Sequence, residues 1–258
     1  MFDCNAFIGE WAFRKLPYNT ADGLLKLMDK VGIERALVSS LHAVTFKDCN
    51  VANRMLFESI ASFRDRLLPC GTINPAFPGW EHDLRACFEA GCVAIKFLPL
   101  YHAYSPLSPA FSDALQASIE LGMNCIVIVL LEDLRMKHWL LNLELPDWNE
   151  WREFVTRPPA MLIIGGLTTH EALQLSNNLN RELVAIETSR AHTGLLPVDL
   201  LVEHFGDDNV ILGTGMPLLN PFAIMLAMKR SRLPRNTLCK IATQNFATRL
   251  PIGHRLRS

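Results

Sequence analysis

The chain has 258 residues, half of them hydrophobic, with 25 Lys and Arg against 26 Asp and Glu. This length supports one large core, and the net charge of −1 gives no electrostatic reason to expect nucleic acid or an anionic membrane as a partner. Because the sequence contains no apolar run near the roughly 20 residues of a membrane helix and no secretory signal pattern, we expect a cytoplasmic protein.

Eight short apolar runs alternate with segments of helical periodicity. The predicted strands are 2–8, 35–39, 67–72, 93–97, 124–130, 161–164, 183–186 and 210–212. In the helix between the first two strands, Thr20 is suited to cap the start and Gly32 to end it. Since no linker interrupts the alternation, we predict one domain over residues 1–258, a (β/α)8 TIM barrel, with a doubly wound open sheet as the alternative.

Three segments then suggest a family. They are DGLLKLMDKVGIERALVSS at 22–40, RLLPCGTINPAFPGWEHDLRACFEAGCVAIKFLPLYHAY at 66–104, and NVILGTGMP at 209–217. In this order they resemble the amidohydrolase-related (amidohydrolase 2 type) metal-dependent hydrolases, which fold as barrels. The resemblance covers nearly the whole chain and implies a site at the carboxyl ends of the strands.

The resemblance also implies a metal site, and here the chain departs from the family. The family places a His-Xaa-His pair on strand one, one His each after strands five and six, and an Asp after strand eight. In this chain the strand-one pair falls on Asn5 and Phe7 and the strand-eight Asp on Gly215, while the histidines of strands five and six fall near Ile128 and Ile164. Strand alternation places Cys4 on the helix-facing side, away from Asn5, and Lys96 alone cannot hold a divalent ion. We therefore predict no metal and no other cofactor.

Polar residues just beyond the strand ends remain as candidate site residues. The candidates for catalysis are Lys96, His102, Glu132 and Glu187. The candidates for substrate binding are Asn5, Trp11, Arg14, Tyr101, Tyr104, Arg135, Ser189 and Arg190. Asp133 and His192 belong to the same charged segments. A lysine that reaches solvent, a packed aromatic loop or a salt-bridged loop is the structural alternative for each group.

Two functions are consistent with this sequence. The first is a small-molecule hydrolase that cleaves an ester, lactone or amide bond without the usual divalent metal. The second is a non-catalytic ligand-binding or interaction protein descended from a metal hydrolase. A small-molecule ligand is expected in both, and the resemblance implies a homo-oligomer. A barrel mouth filled by Phe7, Ile128 and Met216 would argue against catalysis.

Overall fold

The computed structural model describes residues 1–141 and 143–249. Its eight parallel strands follow one another in sequence order around one sheet. They are β1 (Phe2–Ile8), β2 (Arg35–Ser40), β3 (Leu67–Thr72), β4 (Ala94–Phe97), β5 (Asn124–Ile128), β6 (Leu162–Gly165), β7 (Val184–Glu187) and β8 (Val210–Ile211). The amide of Cys4 donates to Leu212 O at 2.9 Å, which joins β1 to the end of β8. The amide of Phe7 donates to Met216 O at 2.8 Å and extends this closure. The (β/α)8 barrel is confirmed.

Helices cover the outside of the barrel. They are α1 (Ala21–Val31), α2 (Cys49–Ser59), α3 (Trp80–Glu89), α4 (Pro109–Glu120), α5 (Trp148–Thr156), α6 (Thr169–Leu175), α7 (Pro197–Phe205), α8 (Pro221–Arg230), α9 (Arg235–Cys239) and α10 (Asn245–Thr248), with a π-helical turn at Lys240–Gln244. Thr20 caps α1 by accepting from the amide of Gly23, and Gly32 ends α1 in the left-handed conformation, as predicted. Across the described stretches 1–141 and 143–249, every helix is too short or too polar to cross a bilayer.

Alternate strand residues form two apolar layers. Leu37, Leu68, Ile126, Ile163 and Ile211 belong to the core inside the barrel. Their strand neighbours belong to the outer layers that pack against the helices. This period of two is the expected consequence of strand geometry, and it decides which side chains can reach the barrel interior.

A β-bulge in β1 changes this pattern. Asp3 pairs with Ala36 and Ala6 with Val38, so one extra residue of β1 lies between the two pairs. As a result Cys4 packs in the inner core. The prediction that Cys4 faces the helices is therefore wrong, because strict alternation does not hold across a bulge.

Candidate functional site

Four buried polar side chains, which we call the interior cluster, meet inside the barrel. The Lys96 ammonium donates to Asn5 Oδ1 at 2.8 Å. Asn5 Nδ2 in turn lies 3.4 Å from Glu187 Oε1 and 3.4 Å from Ser189 Oγ. Each of the four residues is at most 3% exposed. All four are candidates from the sequence, and the structure brings them together in one hydrogen-bonded network.

The Glu187 carboxylate is held by short hydrogen bonds. Its Oε1 accepts from the amide of Gly166 at 2.7 Å and from Ser189 Oγ at 2.7 Å. Its Oε2 accepts from the amide of Ser189 at 2.6 Å. Gly165 and Gly213 leave room for the carboxylate, since a Cβ at either position would lie 2.1 Å from one of its oxygens. The surrounding backbone is therefore shaped to the Glu187 carboxylate.

Burial shifts both ionisable groups of the interior cluster towards neutrality. It lowers the pKa of the Lys96 ammonium, and the nearby Cys70, Cys4 and Glu187 only partly offset this effect. It raises the pKa of the Glu187 carboxyl, and the bonds from Ser189 and Gly166, together with the Lys96 charge, oppose that rise. Each of these two groups therefore favours the charged form of the other.

Asp3 stabilises the bulge next to this cluster. Its Oδ1 accepts from the amides of Asn5 at 2.9 Å and Thr214 at 3.0 Å, and its Oδ2 accepts from Thr214 Oγ1 at 2.5 Å. Burial raises the pKa of Asp3 to about 6, although these bonds lower it in part. Asp3 thus joins β1 to the segment that follows β8.

An apolar layer separates the interior cluster from solvent. Its members, all buried in the inner core, are Phe7, Trp11, Leu98, Ile128, Leu131 and Leu218. The Lys96 ammonium lies 3.8 Å from the centroid of the Phe7 ring, directly beneath this layer. Met216 packs instead in the outer layer that contacts α1. Two of the three side chains expected to fill a closed mouth therefore do so.

Above this layer lies a cleft of about 290 Å³, which we call the mouth cleft. It is lined by Arg14, Glu132, Asp133, Met136, Thr168, Arg190, His192, Thr193, Leu218, Leu219 and Asn220. Arg14 pairs with Glu132 and also donates to Leu218 O at 2.9 Å. Arg190, 6% exposed, donates to Gly166 O at 2.7 Å, with Glu171 Oε2 at 3.4 Å. The mouth cleft is thus polar and charged, and loops after five strands contribute to it.

One histidine of the mouth cleft has an unused polar atom. Nδ1 of His192 is buried and has no hydrogen-bond partner within residues 1–141 and 143–249. A buried polar atom left unpaired is energetically costly.

Three further candidates, Tyr101, His102 and Tyr104, lie in the loop after β4 and belong neither to the interior cluster nor to the lining of the mouth cleft. Tyr101 Oη accepts from the amide of Leu131 at 2.9 Å. His102 Nε2 lies 2.8 Å from Ala43 O, and burial lowers the pKa of this ring. Tyr104 packs against Phe111, with ring centroids 5.3 Å apart.

The four catalytic candidates therefore do not form one site. Lys96 and Glu187 share the interior cluster, Glu132 pairs with Arg14 in the mouth cleft, and His102 contacts neither group. Arg135 is exposed and pairs with Asp133.

Three residues that line the mouth cleft were not among the candidates predicted from the sequence: Thr168, Thr193 and Asn220. A signal was available for the first of them. Thr168 and Glu171 form a capping box at the start of α6, and Thr-x-x-Glu directly after a predicted strand indicates such a helix start. Since this helix start lies at the carboxyl end of β6, it faces the mouth.

No protein-family model and no curated protein sequence matches the chain. Solved structures match its fold. A 2,6-dihydroxybenzoate decarboxylase from Rhizobium has a TM-score of 0.70 at 18% identity, with 96% of each chain covered. A 4-oxalomesaconate hydratase from Rhodopseudomonas palustris has a TM-score of 0.69 at 13% identity, with 96% of this chain and 94% of that chain covered.

A third match contains a metal. A dihydroxybenzoic acid decarboxylase from Polaromonas, with bound manganese and the inhibitor 2-nitroresorcinol, has a TM-score of 0.70 at 16% identity, with 96% of this chain and 95% of that chain covered. Together these matches confirm, over nearly the full chain, the barrel fold that the resemblance to amidohydrolase-related proteins implied.

The described residues at these strand ends do not fit a divalent ion. Asn5 and Phe7 stand at the positions of the family's His-Xaa-His pair, and Ile128 packs in the inner core. Ile164, near which the strand-six histidine would fall, packs in the outer layer. The interior residue there is Gly165, which has no donor side chain. Within the described residues, no three His, Cys, Asp or Glu side chains converge to hold a metal.

Proposed function

We propose that this barrel binds a small organic carboxylate in the mouth cleft, without a metal ion. The observation that carries the proposal is the position of Arg190. Its guanidinium lines the cleft, is almost fully buried and is anchored by Gly166 O. A desolvated and anchored guanidinium binds carboxylates strongly and with defined geometry.

Further groups of the mouth cleft suit the same ligand. His192 and Thr168 also line the mouth cleft, and their polar side chains suit a ligand with hydroxyl or carboxylate groups. The volume of about 290 Å³ is near the lower end of small-molecule pockets, which favours a ligand of the size of a substituted benzoate. Three similar structures are enzymes named for acids, which supports this ligand class.

A metal-independent hydrolase is the second candidate. His192 lines the mouth cleft together with the carboxylates of Glu132 and Asp133, and imidazole and carboxylate groups are the side chains that most often act as general acids and bases in hydrolysis. Lys96 and Glu187 lie beneath the apolar layer, so in this proposal they support the barrel and do not touch the substrate. The substrate would be a small ester, lactone or amide that carries a carboxylate for Arg190.

Calorimetric titration with benzoate, 2,6-dihydroxybenzoate and citrate tests the binding proposal. Arg190→Gln should weaken the binding of the best ligand by about 10- to 100-fold, because it removes charge-assisted hydrogen bonds. Arg54→Gln is the matched control, since Arg54 is exposed on α2 and does not line the cleft, and it should bind normally. Absence of binding by every acid, or equal binding by both variants, would contradict the proposal.

A turnover assay separates the two candidates. Wild type and His192→Asn are incubated with carboxylate-bearing esters, lactones and amides, and product is measured. Hydrolysis by wild type that His192→Asn lacks supports the hydrolase. Binding without turnover in wild type supports the non-catalytic function.

A further inference from the structure

We propose that the Lys96 ammonium is the resident cation of this barrel, and that its charge balances the buried Glu187 carboxylate in place of a divalent ion. The proposal concerns the interior cluster and does not depend on the function of the mouth cleft. It accounts for the two residues of β1 that depart from the metal-hydrolase pattern.

The first observation in support of this proposal is the set of contacts that Lys96 makes. Its ammonium touches both side chains that stand at the His-Xaa-His positions, with Asn5 Oδ1 at 2.8 Å and the Phe7 ring centroid at 3.8 Å. An amide oxygen accepts from an ammonium, and an aromatic face attracts it by a cation–π interaction. Neither group is a good ligand for a transition metal. Both departures from the family pattern therefore favour the same cation.

The Asn5 amide connects the two charges. Its oxygen accepts from Lys96, while its nitrogen points to Glu187 Oε1 at 3.4 Å. The amide dipole is thus oriented favourably towards both ions. Because the cluster is buried, each interaction is stronger than it would be in water, and loss of either charge leaves the other uncompensated.

The other ionisable groups around Lys96 do not replace Glu187 as its partner. Burial raises the pKa of Cys70 to about 11 and also raises that of Cys4, so both thiols are neutral. Asp3 directs its oxygens to the amides of Asn5 and Thr214 and to the Thr214 hydroxyl. Glu187 remains as the carboxylate that the amide of Asn5 connects to Lys96.

The glycines around Glu187 support the same proposal. A metal-binding side chain at Gly165 or Gly213 would begin with a Cβ 2.1 Å from a Glu187 oxygen. The space that further ligands need is therefore occupied by the carboxylate itself. The interior therefore accommodates the Lys96 ammonium, which β4 carries, and leaves no space for the side chains that would bind a metal ion.

Metal analysis of the wild-type protein is the first test. The protein is measured as purified, after EDTA, and after incubation with Mn²⁺ or Zn²⁺ followed by desalting. We expect far less than one metal per chain in each sample and the same melting temperature in all of them. A stoichiometric metal that raises the melting temperature, and whose binding Glu187→Gln abolishes, would overturn the proposal. This test needs no Lys96 variant.

A double-mutant cycle is the second test. Lys96→Met should raise the unfolding equilibrium constant by roughly 10²- to 10³-fold, because a buried carboxylate loses its counter-charge. Lys96→Met combined with Glu187→Gln should be less destabilised than Lys96→Met alone. If the effects of Lys96→Met and Glu187→Gln on stability simply add in the double variant, the proposal is contradicted. If Lys96→Met does not fold and the double variant does, the proposal is supported. Lys240→Met is the matched control, since Lys240 forms surface bridges to Asp207 and Asp208, and it should change the constant only a few-fold.

Discussion

Gly165→Ala tests whether the Glu187 carboxylate is fixed in place. The new Cβ would lie 2.1 Å from Glu187 Oε1 and 2.6 Å from Cδ, so the carboxylate has to move. Movement breaks the bonds that Oε1 accepts from Gly166 and Ser189, both 2.7 Å long. A hydrogen bond to a charged group contributes about 1.5–3 kcal/mol, so we expect the free energy of unfolding to fall by about 3–6 kcal/mol.

Urea unfolding of four variants checks this reasoning. Gly91→Ala measures backbone strain alone, since Gly91 has a φ of +78° and its added Cβ would meet nothing within 4 Å in the described part of the chain. It should cost about 1–2 kcal/mol. In a Glu187→Ala background the clash is gone, so adding Gly165→Ala should cost less than about 1 kcal/mol, in line with propensity effects. The reasoning is refuted if Gly165→Ala costs no more than Gly91→Ala, or if its cost persists without Glu187.

Three further predictions concern buried groups. The pKa of Asp3 rises from 3.8 to about 6 on folding, so the folded state holds the proton more tightly than the unfolded state. As the pH rises from about 4 to 6, the free energy of unfolding should therefore fall by ~3 kcal/mol. Asp3→Asn should flatten this pH dependence in urea unfolding. Cys239 is exposed and the other six cysteines are buried, so Ellman's reagent should titrate one thiol in native protein and seven after denaturation; a fast second thiol would show that the interior opens. Trp11 Nε1 is buried without a partner among the described residues, so Trp11→Phe should cost only the lost packing, roughly 1–3 kcal/mol, and a loss above ~4 kcal/mol would mean that the indole N–H is bound.

The fold could be predicted from the sequence because its signals are local. Runs of apolar residues bounded by Gly, Pro or polar residues placed all eight strands within two residues of their observed starts and ends. The Thr20 and Gly32 signals marked both ends of α1. Each signal spans a few residues and agrees with its neighbours, which is the condition under which such reasoning succeeds.

The orientation of β1 could not be predicted because its bulge depends on distant residues. The carboxylate of Asp3 accepts from the amide of Thr214, 211 residues further along the chain. No local pattern reveals this contact, so alternation gave the wrong face for Cys4. The loop after β4 poses the same difficulty, since His102 is fixed by Ala43 O, 59 residues away.

The sequence pointed to several residues that the structure brings together, but it did not indicate how they are grouped. Position at a strand end correctly selected Asn5, Lys96, Glu187 and Ser189 as residues that face the interior. The same rule also selected Glu132 and Arg190, which lie above the apolar layer in the mouth cleft. Position at a strand end indicates that a side chain points towards the barrel axis, but it does not indicate how deep in the barrel that side chain lies. The depth depends on which apolar side chains fill the space between, and that follows from packing alone.

The interdependence of the interior residues decides whether a metal site could arise in this barrel. A histidine at Gly165 would collide with Glu187, and a histidine at Asn5 would remove the oxygen that Lys96 binds. Each single change towards a metal site therefore costs stability before it provides a usable ligand. Arg190 and His192 line the mouth cleft above this layer, and neither belongs to the interior cluster. Ligand binding in the mouth cleft can therefore change through substitutions there without disturbing the charge balance of the interior cluster.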